Sequence, residues 1–579
     1  MPPKRQQPPR LGLAITVFSL LLIVSGSVFA ADDWSRDDAA HLLRRAGFGG
    51  TPTQIDQIHA MGRDAAVDYL ITGKLPDKAQ APFAHVELSP FVLDPDFNYR
   101  VQGAGSQYEL QSLRAWLLNR MVQSDRPLEE KMVLFWHGVF TSGYQEVRNV
   151  GWLADQDALL HREAIGNYKR LTREMIHDPA MIKYLNNDDN QKGRPNENLA
   201  REMMELFTMG EGNGYTEKDV PEVARALTGL TVRRGFGRSQ LVERLHDNGS
   251  KTIFRKTGNY GPDDVVDLIF ARPEPASYLA KRLWQFFGTS DPSTADIAAV
   301  ADALQKNNWD VAPALKVMFT SQSFYSSQEK FVLIKSPAEL EVMTLRLLDE
   351  PTPQRLMTAT AGSMRQLGQE LFQPPNVKGW PGGEHWITST AIFARYNIAS
   401  AMANGVLGAN FGRFRGNRGP AAAARAKAAA AQLAAGKTPA TQPSAGATAV
   451  ATANARPRFD PSLTPAQRQA AQKARLDEIR KEEREKVQAK LAELPPMPPA
   501  DEMVVPTKLF AQLGKEPSTE QLVDAAIDRF IQHPLPADKR ATLLDSMGKQ
   551  PLKLGEASSD RRVRQLIGVL LSTPEYQVE

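Results

Sequence analysis

Along residues 33 to about 405, apolar positions recur at three- and four-residue steps, the pattern of helices with one buried face. "SRDDAAHLLRRAGFGG" begins with Ser35 as a helix cap, places Ala39, Leu42 and Leu43 at helical spacing, and stops at Gly47. "PLEEKMVLFWHGVF" (127–140) and "SYLAKRLWQFFG" (277–288) are dense in Leu, Trp and Phe at the same steps and predict buried helices. Strict alternation is scarce. Only "TGLTVRRG" and "KTIFRKTG" suit strands, and they predict a small hairpin or two. The expected fold is mainly α, one or more multi-helical domains with at most minor β hairpins, interrupted by a disordered Ala/Pro-rich insertion.

The pattern breaks after residue 410. Gly416 to Asp460 is Ala, Pro, Thr and Gly with little to bury, which predicts a disordered linker. Thr464 and Pro465 then start a charged helix, on which Leu476, Ile479, Val487, Leu491 and Leu494 form only a thin apolar stripe. Helices resume near Glu502. "LIGVLLSTPEYQVE" at the end echoes "LKVMFTSQSFYSSQE" at 315–329, a loose sign of a duplicated helical unit. The expected organisation is a signal peptide at 1–30, a helical main domain at 31–410, an Ala-rich linker at 411–463, a charged helix and Pro-rich stretch at 464–500, and a C-terminal helical part at 501–579.

Composition narrows the classes. The 579 residues carry a formal charge of +4, and residues 1–30 hold Lys4, Arg5 and Arg10 with no acid. The remainder is near neutral, with no basic stripe of the kind nucleic acid requires. The N-terminus reads as an export signal: a basic start, the uncharged run "LGLAITVFSLLLIV", then Val28 and Ala30 placed for cleavage after Ala30. The competing reading is an uncleaved anchor from Leu11 to Ala30. No other segment reads as membrane-spanning. The expected location is the periplasm, the cell surface or the medium. There is no cysteine, so disulfides, thiolate metal sites and thiol nucleophiles are excluded.

The densest polar chemistry lies in "GRPNENLAREMMELFTMG" (193–210). On an α-helical wheel Asn198, Glu202 and Glu205 share an arc of roughly 60°, while Leu199, Met203, Leu206 and Phe207 form an apolar face. Arg201 and Glu205 are spaced for an ion pair. Two carboxylates on one face can share a proton, act as acid and base, or bind a divalent cation. The competing reading is a solvated face of ordinary pairs. His137 in "FWHGVF", and His246 with Asp247 in "LHDNGSKT", are further catalytic candidates, although a lone buried histidine is more often a bonded core residue. His161-x-Glu163 resembles half of a zinc deaminase motif, which fails without cysteine. "LNNDDNQKG" is acidic but lacks EF-hand spacing. "FQPPNVKGWPGGEHW" (372–386) presents Trp380, His385 and Trp386 from a Pro/Gly-fixed loop, suited either to stacking on a substrate or to plugging the bundle.

Taken in order, "HLLRRAGFGGTP", "FWHGVF", "DPAMIKYLNN", "RPNENLAREMMELFTMG", "YTEKDVPEVARALTG", "HDNGSKT", "KSPAEL" and "PPNVKGWPGG" resemble the hallmarks of the bacterial domain of unknown function 1800 family. The likeness covers about 33–405 and 503–579, with about 410–500 as an insertion. Leu230 stands where the family usually has Trp. The resemblance implies an exported helical protein and supplies no reaction. It also suggests a partner, an exported sulfatase-like protein of the domain of unknown function 1501 family, whose genes often lie nearby. Asn196, Glu197, Asn198, Arg201, Glu202 and Glu205 fall within the family motif. Two functions follow as expectations: a hydrolase-like enzyme acting on an extracytoplasmic polymer, with Glu202 and Glu205 as acid, base or cation ligands and Asn196, Asn198 and Arg201 as substrate contacts; or a non-catalytic assembly factor for that partner.

Overall fold

The computed structural model describes residues 34–95, 104–232, 239–407, 464–548 and 550–579. The signal segment and the Ala-rich stretch expected at 411–463 lie outside the described residues. The described chain is mainly helical, and its strands form two two-stranded antiparallel sheets. These are the two expected hairpins. Leu230–Val232 pairs with Ser239–Leu241, and Lys251–Ile253 with Lys256–Gly258. The second turns at Phe254 and Arg255, both with positive φ, the geometry that matches strand twist in a two-residue turn.

Local chemistry sets the helix starts. Ser35 and Asp38 cap each other's backbone at the head of Arg36–Arg45, and Thr51 with Gln54 do the same for Pro52–Met61. The Pro127–Val139 and Glu274–Phe287 helices are the spine of the core. Phe135 meets Phe286 edge-on at 5.3 Å, and Trp136 stacks on Tyr168 at 5.8 Å. Trp136 is wholly buried, and its indole N–H donates to the Ala164 carbonyl at 2.9 Å. Truncating such a ring costs about 3–5 kcal/mol.

The end of the chain is woven into this core. Leu333 and Glu579 exchange backbone hydrogen bonds. Inside, Arg45 pairs with the Glu579 carboxylate at 3.0 Å and Lys131 with Glu339 at 2.6 Å. Val311–Thr320 and Ala557–Leu571 each run into a 3₁₀ turn, with Phe324 and Tyr576 buried there. The charged helix spans Pro465–Glu493 and lies against Ala104–Gln123. Its last carbonyls, of Leu491 and Leu494, accept from Arg355. Among the described residues, no helix is long and apolar enough to cross a membrane.

Candidate functional site

The polar helix departs from the α-helical wheel. It is α-helical only over Asn198–Glu202 and continues as a π-helix over Met203–Thr208. Pro195 lies outside it, and Glu197 precedes the first turn. Asn196 builds the approach instead: its side chain accepts from the Asn198 N–H at 3.0 Å, and its own N–H donates to Asn190 at 2.9 Å. Asn190 and Asn187 spend their amides on the carbonyls of Ala224 and Leu230. The "LNNDDNQKG" turn is therefore a brace, with Asp188 paired to Lys183 at 2.5 Å.

A π-helix shifts its backbone hydrogen bonds and loosens carbonyls that an α-helix would use. Two tyrosines take them here. Tyr278 donates to the Leu206 carbonyl at 2.6 Å, and Tyr168 donates to that of Phe207. Thr208 turns back onto the Met203 carbonyl at 2.5 Å. Gly210 ends the element in the left-handed region at φ 93°. Neither tyrosine is near the helix in sequence, so no local signal announces the widened turn.

The carboxylates on this helix differ in their partners. Arg201 holds three carboxylates: Glu205 of the helix at 3.1 Å, Glu217 from beyond it at 3.1 Å and Glu197 just before it at 3.4 Å. Glu205 is only 15% exposed. Glu202 is half-buried, and among the described residues it makes no hydrogen bond and no ion pair. Burial raises its pKa, and the Glu205 charge raises it further; Lys378 and Arg201 pull it back. Tyr184 lies on the same side, its hydroxyl pushed up to about 12 by burial and then by Glu146 and Glu202.

Lys378 arrives on the Pro/Gly loop. Thr141 donates to the Val377 carbonyl. Gly379, at φ 83°, lies so close that a Cβ would stand 3.0 Å from the Gly138 carbonyl, so only glycine fits. The Lys378 ammonium reaches Glu211 at 3.4 Å. Trp386 is buried, with its carbonyl held by Arg395 at 3.0 Å, so it plugs the bundle. Trp380 is half-buried, and its indole N–H has no partner among the described residues. His385 is exposed, its ring 3.2 Å from the Gly382 carbonyl.

The other candidates lie in two separate clusters. His137 is buried against Asp157 at 2.9 Å. Asp157 also faces His161 at 3.1 Å, and His161 reaches Glu130 at 3.1 Å. Burial opposes charge on His161, but Asp157 and Glu130 outweigh it and raise its pKa to about 10. This is a closed polar network that braces two helices, Pro127–Val139 and Val150–Arg162. The His246 ring donates from Nδ1 to the Thr228 carbonyl, 2.8 Å away. Asp247 accepts from Arg225 at 2.8 Å and from the Gly249 N–H at 2.8 Å; the Arg225 bond leads in holding its pKa down at about 2. His246 thus ties to the approach to the first hairpin, and the Asp247 carbonyl accepts from Lys251 of the second. Neither histidine forms a contact with Glu202 or Glu205.

Glu202 and Glu205 supply two of the donors that a divalent cation would need. Among the described residues, no group of three or more His, Cys, Asp or Glu converges to hold a metal ion.

Fold and site together define a helical protein built around a polar π-helix with one unpartnered glutamate. The chain matches the family described as Protein of unknown function (DUF1800) over residues 41–578, and it belongs to that family. No curated protein and no solved structure matches it.

Proposed function

We propose that this protein is an exported, hydrolase-like enzyme acting on an extracytoplasmic polymer or its decorations, with Glu202 as the general acid–base. The observation that carries the reading is the contrast on one helix. Arg201 pairs with Glu197, Glu205 and Glu217, while Glu202 stays half-buried and, among the described residues, unpartnered. Burial and the adjacent Glu205 charge push the Glu202 carboxyl above its ordinary range, the environment in which a carboxyl serves as general acid. Glu202 gives its proton to the leaving group as water attacks the scissile centre, the proton released by that water restores the Glu202 carboxyl, and the Lys378 ammonium faces negative charge developing on the substrate. Incubating the purified protein with isolated cell-envelope polymer, and following released fragments by mass spectrometry, tests this. Wild type releases fragments; Glu202→Gln is slower by roughly 100-fold. No release by wild type, or equal release by the variant, rules the reading out. N-terminal sequencing of the exported protein should begin at Ala31.

A second reading, an assembly factor for the exported sulfatase-like partner, draws on one observation. Phe393 (70% exposed) and Tyr396 (40%) stand three residues apart on the Ser389–Ala403 helix. Exposed aromatics of this kind mark protein contacts. Co-purification lost on Phe393→Ser would favour it.

A further inference from the structure

A cleft of about 430 Å³ lies away from Glu202 and shares no lining residue with that site. Its walls are the Ala104–Gln123 helix, the loop around Phe91 and Asp94, and the start of the Gln354–Gln366 helix. The volume is in the range of small-molecule sites. The lining combines aromatic rings (Phe91, Tyr108, Trp116) with two amides, Asn119 and Gln354. Among the described residues, neither amide side chain hydrogen-bonds to protein. Trp116 is fixed in place: its N–H donates to the Ser89 carbonyl at 2.9 Å, and Phe91 and His161 pack on it at 5.8 and 5.9 Å.

Charge decides the ligand class. No lysine or arginine lines the cleft among the described residues, which disfavours an anion. Two carboxyls are present, but neither offers a free negative charge. Asp94 is paired with Lys490 from the charged helix. Glu109 is buried, accepts the Asp94 N–H at 3.1 Å, and is pushed up to about 7 mainly by burial. The Arg120 guanidinium lies over one face of the Trp116 ring at 5.3 Å, and its like charge disfavours an ammonium ligand at that ring. Rings to stack on apolar C–H faces, with amides that both donate and accept, suit a neutral polyhydroxylated ligand.

We infer that this cleft binds a neutral saccharide, stacked on Trp116 and hydrogen-bonded by Asn119 and Gln354. The full-length protein is titrated calorimetrically with maltotriose, cellotriose and chitotriose, and with choline as the cationic comparator. At least one trisaccharide binds. Asn119→Ala and Gln354→Ala each weaken it by about 2–10-fold, the worth of one hydrogen bond. Because neither amide has a protein partner, both variants fold, which circular dichroism checks; Trp116→Ala is kept as a secondary variant. Glu202→Gln leaves the affinity unchanged, so failure of this inference is separable from failure of the catalytic reading. Binding of choline alone, binding of no trisaccharide, or an affinity that survives both amide substitutions overturns it.

Discussion

Among single residues, the buried Asp157 shows how charge is tolerated inside this molecule. It faces His137 and His161, and removing it leaves His137 without its carboxylate and His161 with Glu130 alone. Asp157→Asn should cost about 3–5 kcal/mol in denaturant unfolding near neutral pH. The sign of the pH dependence follows from His161. Its folded pKa, about 10, lies above its ordinary value of 6.5. The stabilisation is therefore complete below about 6.5 and is lost as pH rises through about 10. The gap between wild type and Asp157→Asn should narrow over that window; a constant gap would place the effect in packing rather than charge. Glu205→Gln breaks a pair with the partly exposed Arg201 and should cost only about 0.5–1 kcal/mol. At this scale the sequence was half legible. Arg201–Glu205 followed from spacing, whereas the partners of His137 and His246 come from other helices and loops, which no local pattern encodes. Lys378 stood inside a stretch marked for its tryptophans, and its charge was the overlooked signal.

The elements were more legible than their details. Periodic Leu, Trp and Phe located the buried helices, and two short alternating runs located both hairpins, because each depends on residues close in sequence. The π-helix did not follow, since an ideal wheel assumes one hydrogen-bond register throughout. Here Tyr168 and Tyr278 stabilise the other register by capping the Phe207 and Leu206 carbonyls. Tyr278→Phe should destabilise the protein by about 1–3 kcal/mol, the cost of an orphaned buried acceptor. It should also disturb Glu202, one turn away, so activity should fall more than the loss of stability explains. Thermal melting and fragment release measured on the same preparation check this; full activity in a destabilised variant would show that the register does not matter to the site.

Over the whole molecule, helical class and family membership were both readable, the first from composition and period and the second from many short motifs in order. The interruption near 410 was readable as a change in composition. Gly416–Asp460 has too few apolar residues to offset ordering entropy, so deleting it should leave Tm within about 1 °C of wild type. A large fall would mean that the segment packs.

Whole-molecule stability also gives the most direct test of Glu202. If the fold holds this carboxyl at a cost, neutralising it must stabilise the protein. Its folded pKa is raised above the ordinary 4.5, so the cost is absent below about 4.5 and appears as pH climbs through the folded value. Melting of Glu202→Gln and wild type is compared at pH 4 and pH 8. Equal Tm is expected at pH 4, with the variant higher by roughly 1 °C or more at pH 8, since functional carboxyls are commonly kept at the expense of stability. A variant that melts at or below wild type at pH 8 would show that the Glu202 carboxylate supports the fold, and would contradict its assignment as the working acid–base.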